Sequence, residues 1–358
     1  MNRQACVFFC LFFLWGCGEK SKSALTLTHS IVDSRGDTIS LPVNLQRIAC
    51  VDVLCYSIMV ILRETDKIDM MQETNAPWMN KVRPPESRIA QIDLAPSMEE
   101  LLKRHVEVVI GGYGGKSEEE SLTRVSIPQV RAQPIQDKFL NPQEYLDGEK
   151  HMLSVYAQML GSTASNRVAE WNRWIDSKVQ YVTSRTDHLS PSHRPRVYFA
   201  RGPDPLLTHG KNAATYWFGE MAGADMVVKN VKNLHGKGPV HMEDLVRFDP
   251  EWIFVGRQYP IEMISQNSCW KNISAVRNHH VIPVPGGVFY WDSSPESGLL
   301  LLFYAKTLHP ELFPDLDLRK EIQHFYSQFY DYSLSDHDAD LIIQGLGPDG
   351  TRATSPDA

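Results

Sequence analysis

From Pro142 to Arg185 the chain carries no strand signal, and on both sides of that stretch strand and helix signals alternate. Apolar residues recur inside it at helical spacing, first Met152, Val155, Tyr156 and Met159, then Val168, Trp171, Ile175 and Val179. Gly161-Ser162 punctuates the two runs, so the pattern predicts one helix, a break, and a long helix from about Ala164 to Thr183. Upstream, Arg47–Val51, Lys67–Met71, Val106–Ile110 and Gln129-Val130 read as short buried strands, with a helix over about Leu54–Leu62. Ser97 and Glu100 form a capping box at the start of another helix. Downstream, Arg196–Ala200, Trp252–Val255 and Val281–Val284 read as strands, and Ala213–Met221 and His241–Val246 as helices. Three helices close the chain, over Gly298–Leu308, Leu318–Tyr330 and Asp336–Gln344. This order predicts two Rossmann-like α/β lobes joined by a single long helix, with C-terminal helices. The expected boundaries are residues 31–160 and 187–292 for the lobes, 161–186 for the linking helix, 293–346 for the last helices and 347–358 for a disordered tail.

With 358 residues, the chain is long enough for two lobes at ~150 residues per domain. The net charge of -7 argues against nucleic acid as a partner. The apolar run from Val7 to Trp15 is too short to span a bilayer, which takes ~20 residues. It ends in Leu14-Trp15-Gly16-Cys17 and is followed by a small, polar, Lys-bearing stretch. This resembles the lipobox of bacterial lipoproteins. The resemblance implies a signal peptide over residues 1–16, a lipidated Cys17, and an anchored tether over 17–30, which places the mature protein outside the cytoplasm. A hairpin, Ile31–Pro42, follows the tether. Cys50 and Cys55 form either a disulfide, in an oxidising compartment, or a pair of buried thiols.

In open α/β sheets solutes bind beyond the carboxyl ends of the strands. The side chains so placed in the first lobe are Asp52, Trp78, Tyr113 with Lys116, and Arg131–Gln133; in the second, Arg201, His209 with Lys211, Arg257 with Tyr259, and Tyr290 with Trp291. Arg201 and Arg257 each directly follow an apolar strand. They read either as a bidentate clamp for carboxylate, catecholate, phosphate or oxyanion groups, or as members of surface ion pairs. Trp78, Tyr113, Tyr259 and Trp291 are expected among the ligand-binding residues, as flat apolar walls for a chelate, with lobe core as the other reading; for Trp291 the loop context, Pro285-Gly286-Gly287 before it and Asp292–Pro295 after, favours the cleft. His209 and His235 are candidate metal ligands, though a lone loop histidine is more often a surface residue. No G-x-S-x-G, H-E-x-x-H or phosphate-loop pattern is present, so no enzymatic activity is expected.

Further phrases stand in a telling order: Leu41-Pro42 before Gln46-Arg47-Ile48, Ser97–Leu102 before Val106–Ile110, Leu207–Lys211, Ala222-Gly223-Ala224, His309–Phe313, and Phe325-Tyr326 with Phe329-Tyr330. Together, over roughly Ile31–Gly345, they resemble the substrate-binding proteins of ATP-binding-cassette (ABC) importers for ferric siderophores, haem, cobalamin and related metal compounds, in particular their iron and molybdate branch. The resemblance implies a monomeric receptor with no resident cofactor. Such a receptor captures a ferric siderophore or similar anionic iron chelate between its lobes and delivers it to a membrane permease with its ATPase. Glu99 and Glu243, at matching helix starts, would dock on permease arginines. Molybdate or tungstate is the alternative solute, because Asn75–Met79 and Gly287–Trp291 resemble that branch too. Haem remains another alternative. Cobalamin fits less well, because Lys237-Gly238-Pro239 lacks a Trp. A non-transport extracytoplasmic sensor is a further alternative. An extracytoplasmic enzyme on a nitrogenase-like pair of lobes would need more cluster-binding cysteines than Cys50, Cys55 and Cys269. A long linking helix also implies closure of only a few degrees to about ten.

Overall fold

The computed structural model describes residues 27–92, 96–112, 116–134, 139–211, 213–232, 234, 236–257 and 261–352. The lipobox, Cys17, Tyr113, His235 and Tyr259 lie outside the described residues. A hairpin of β1 (Thr28–Val32) and β2 (Thr38–Pro42) opens the fold, so regular structure starts within the stretch expected to be tether. Its inward-facing Ile31 and Leu41 join the core.

Five short strands follow: β3 (Ile48–Cys50), β4 (Ile68–Gln72), β5 (Ala90–Ile92), β6 (Val108–Ile110) and β7 (Gln129–Val130). They form one parallel sheet in the order β5-β4-β3-β6-β7. The chain winds outward from β3 in one direction and then restarts at β6, so the strand order reverses between β3 and β6. The second lobe contributes β8 (Arg196–Ala200), β9 (Leu207–His209), β10 (Asp225–Met226), β11 (Lys237–Pro239), β12 (Trp252–Val255) and β13 (Val281–Pro283). Four of these make a parallel sheet in the order β10-β8-β12-β13, with its reversal between β8 and β12. The remaining two, β9 and β11, pair antiparallel as a separate ribbon.

Two helices join the lobes, Pro142–Leu160 of 19 residues and Ser162–Thr186 of 25 residues. Gly161 separates them at φ +90°, a left-handed value that glycine adopts without steric cost. The second helix folds back along the first, which brings Lys150 into an ion pair with Asp176. The helix Ser162–Thr186 is about 37 Å long at 1.5 Å per residue. Its Trp171 donates through Nε1 to the Pro295 carbonyl at 3.0 Å, and Trp174 packs on Phe325 with ring centroids 4.7 Å apart.

The helices Ser297–Leu308, Leu318–Tyr330 and Asp336–Ile343 return the chain to the first lobe. Arg167 on the linking helix donates to the Ile61 carbonyl of the first lobe and to the Gln328 carbonyl of the C-terminal helices, both at 3.0 Å. Lys81 binds both carboxylate oxygens of Asp338, at 2.8 and 2.9 Å. Gly347–Thr351, expected to be disordered, form a tight turn closed by a Gly347 N–H to Thr351 carbonyl bond of 2.7 Å. Asp349 accepts from the Thr351 backbone and hydroxyl and so fixes that turn, which corrects the expectation for these residues. Cys50 and Cys55 are joined in a disulfide, which decides between the two readings of that pair. Among the described residues no helix is long and apolar enough to cross a membrane.

Candidate functional site

Both strand-order reversals open toward a cleft between the lobes, where parallel α/β sheets place their ligands. Arg201 directly follows β8 and Arg257 follows β12 by one glycine, so the two flank the reversal of the second sheet. From the first lobe, Asp52 follows β3, and Glu73, Thr74 and Asn75 follow β4. Two neighbouring cavities of about 210 and 290 Å³ occupy the cleft. Val53, Gln72, Arg257 and Tyr290 line both, so they form one continuous space. Arg201 lines the first, and Ser57, Gln133, Ser293 and Ser294 supply polar groups to the second. A third pocket of about 100 Å³ continues past Ser293 and Ser294 to His209, Glu149 and Asp292.

Arg257 is the centre of this arrangement. Its backbone takes φ +50°, its Nε donates to Asp292 Oδ2 at 2.8 Å, and its Nη2 donates to Ser293 Oγ at 3.0 Å. The guanidinium carbon lies 4.5 Å from the centroid of the Tyr290 ring, a cation–π stack. The Tyr290 hydroxyl in turn donates to the Asn75 carbonyl at 3.1 Å, across the cleft. Arg201 donates to its neighbour Gly202 at 3.1 Å, and among the described residues no carboxylate forms an ion pair with it. Burial and the nearby Arg257 guanidinium push its pKa down. Lys237, brought opposite His209 by the β9–β11 pairing, is also pushed down, by Arg201, burial and Arg257 in that order. Arg201 and Arg257 thus stand together in the lining of one cavity, with Lys237 exposed nearby.

Asp292 balances part of that charge. Burial opposes its ionisation, but Arg257, His209 and Arg201 hold its carboxyl below the usual carboxylate range. His209 stacks on Phe199 with centroids 5.4 Å apart, and its Nδ1 lies 3.1 Å from Thr215 Oγ1. Burial pushes its pKa down to about 4, against the pull of Asp292, so the imidazole is neutral near pH 7. Burial raises Glu149 to about 7 and Asp52 to about 6. Asp52 also caps the helix Val53–Leu62 by accepting from the Cys55 N–H at 2.6 Å. No cluster of three or more His, Cys, Asp or Glu side chains suited to a metal ion occurs among the described residues.

The cleft thus gathers Arg201, Arg257 and His209 from the sequence-derived set, but not all of it. Trp78 is 0 % exposed and donates through Nε1 to the Leu346 carbonyl at 3.0 Å. Trp291 is 1 % exposed and donates to Glu296 Oε2 at 2.7 Å. Both line none of the cleft cavities and belong to the core, which corrects the expectation that they line the binding cleft. Lys116 is exposed and lines a groove beside Glu119 and Arg131 on the first lobe, away from the cleft. Arg131 is likewise held there, ion-paired to Glu119, which leaves Gln133 as the cleft residue of that segment. Lys237, Ser293 and Ser294 were not picked out as site residues. The signal for the serines was their place beside Trp291. Lys237 carried none, because only the non-local β9–β11 pairing brings it to the cleft. Glu99 and Glu243 both sit exposed in the first turns of their helices.

Residues 55–286 match a family described as periplasmic binding protein. A molybdate-binding protein, MolA, of Haemophilus influenzae is 27 % identical over 250 residues, covering 65 % of this chain and 70 % of that protein. The structure of MolA bound to molybdate, from a Haemophilus influenzae ABC transporter, superposes with a TM-score of 0.75 at 23 % identity, covering 86 % of this chain and 99 % of that one. A nickel–histidine complex of Helicobacter pylori CeuE has a TM-score of 0.66 at 20 % identity, over 88 % of this chain and 98 % of that one. At these identities the structural matches establish a shared fold. The profile match spans both lobes and the helices between them, and the chain belongs to the periplasmic binding protein family, as a solute-binding protein of an ABC transporter.

Proposed function

We propose that the cleft captures a compact metal oxyanion of the molybdate or tungstate class. The observation that carries this reading is that Arg201 and Arg257 line one cavity together, while Asp292 pairs with Arg257 and, among the described residues, no carboxylate pairs with Arg201. An anion seated there relieves the mutual repulsion and accepts charge-assisted hydrogen bonds, the strong kind. Trp78 and Trp291, expected as flat walls for a chelate, are buried and line none of the cleft cavities, which leaves Tyr290 and Phe289 as the aromatic lining. The Haemophilus influenzae relative MolA is a molybdate-binding protein, which points the same way. His209, neutral, takes part as a hydrogen-bonding group.

The test is isothermal titration of molybdate into the wild type and into Arg201→Ala with Arg257→Ala. Each lost charge-assisted bond is worth ~1.5–3 kcal/mol, so affinity should fall roughly 100-fold or more. Unchanged affinity in a variant that retains its fold contradicts the proposal. Delivery to a permease with its ATPase completes the function. In this reading Cys17 carries lipid and holds the mature, monomeric protein at the outer side of a membrane. Metabolic labelling with a fatty-acid analogue should mark the wild type and not Cys17→Ser. Exposed Glu99 and Glu243, one per lobe, are proposed to bind basic groups of the permease.

A further inference from the structure

The helices that carry Glu99 and Glu243 repeat each other in sequence. Met98-Glu99-Glu100-Leu101-Leu102-Lys103 aligns with Met242-Glu243-Asp244-Leu245-Val246-Arg247 without a gap. The repeat extends to burial. Leu101 and Leu245 are both 0 % exposed and anchor their helices. Glu100 pairs with Arg104, and Asp244 pairs with Arg247. Glu99 and Glu243 are exposed, and among the described residues neither has an ion-pair partner. Three residues after each, on the same helix face, stands an exposed branched apolar side chain, Leu102 at 48 % and Val246 at 53 %. A single exposed apolar residue is ordinary. Recurrence at the same register beside an unpaired acid, in two lobes of otherwise different sequence, is not explained by chance exposure.

The topology also gives the two helices equivalent places. Each leads into a parallel strand, Met98–Lys103 into β6 and Met242–Phe248 into β12. A helix that connects parallel strands runs against them, so both helices begin at the carboxyl, cleft-side edge of their sheets. One acid and one apolar side chain are therefore presented on each side of the cleft opening.

We propose that Leu102 and Val246 are a matched pair of apolar docking residues, each entering a socket bordered by a basic group, on a partner that presents this socket twice. The proposal rests on the reading of the chain as an importer component, and the partner is the membrane permease. Two equal half-sites on the receptor fit a permease built from two equal or equivalent subunits. Charge complementarity supplies the occupant's chemistry: Glu99 and Glu243, exposed and without an ion-pair partner among the described residues, match basic groups beside each apolar socket. The acids steer the encounter and are weakened by salt, whereas the apolar pair contributes a salt-independent part of the affinity.

The test uses the full-length receptor and its permease–ATPase complex in lipid nanodiscs, with binding followed by biolayer interferometry at low and high salt. Leu102→Asn with Val246→Asn should weaken the complex roughly tenfold per site at both salt concentrations. The same variant should bind molybdate as the wild type does, which shows that it is folded. Glu99→Gln with Glu243→Gln should weaken the complex mainly at low salt. If the asparagine variant docks as the wild type while the glutamine variant does not, the apolar proposal is overturned and acidic docking stands. If neither substitution changes docking, both fall.

Discussion

Glu296 is fully buried, and its carboxylate accepts from the Phe289 N–H at 3.0 Å, from Trp291 Nε1 at 2.7 Å and from the Tyr330 hydroxyl at 2.6 Å. It thereby fixes the loop that carries Tyr290 across the cleft. Gly287 is required beside it, because a Cβ there would stand 1.9 Å from Glu296 Oε2. Burial, opposed by these donors, raises the Glu296 pKa from 4.5 to about 7. The folded chain then holds this proton through a window in which the unfolded chain has released it. The stability that Glu296 contributes is complete below pH 4.5 and is lost as pH rises toward 7 and through it. The stability difference between wild type and Glu296→Gln, measured by urea unfolding, should therefore shrink from pH 4.5 to 7; a constant difference contradicts this account. Residue roles were unevenly legible in the sequence. Arg201 and Arg257 could be found because each follows an apolar strand, and a strand end fixes where a side chain goes. Trp78 and Trp291 were expected in the cleft and are core residues, since a loop position does not tell whether the loop folds inward.

The linking helix meets the C-terminal helices at a seam without spare volume. A Cβ on Gly298 would lie 2.4 Å from Trp174 and 2.7 Å from Ile175. Gly298→Val should lower stability by about 1–3 kcal/mol, the usual cost of overpacking, with a reduced urea midpoint at unchanged slope. An unchanged midpoint would show that the seam yields. Elements with several turns or long apolar runs were readable: Leu318–Tyr330 and Trp252–Val255 fall where periodicity put them. The strands β5, β9, β10 and β11 were not recognised: they are as short as β3, β6 and β7, but Ala90–Ile92, Leu207–His209, Asp225–Met226 and Lys237–Pro239 lack the continuous apolar run that marks β3 and β6, and their pairing is set by distant partners.

Across the whole molecule, the first lobe is tied to the linking helix, to the C-terminal helices and to the second lobe. Arg167 bridges the Ile61 and Gln328 carbonyls, Lys81 holds Asp338, and the Trp78 N–H donates to the Gly287 carbonyl at 3.2 Å. These bonds and the long linking helix restrict hinge motion, so solute capture should change the radius of gyration in solution scattering very little; a large compaction contradicts that. The two-lobed design was legible because helical and α/β patterns segregate along the chain, whereas the identity of the solute was not, since it depends on charges assembled from separate strands. The most direct measurement is calorimetric titration of the receptor, residues 18–358, with molybdate, tungstate and a ferric siderophore in parallel. The oxyanions should bind saturably at one site and the siderophore should not. Saturable binding of the siderophore with no heat from either oxyanion would contradict the assignment.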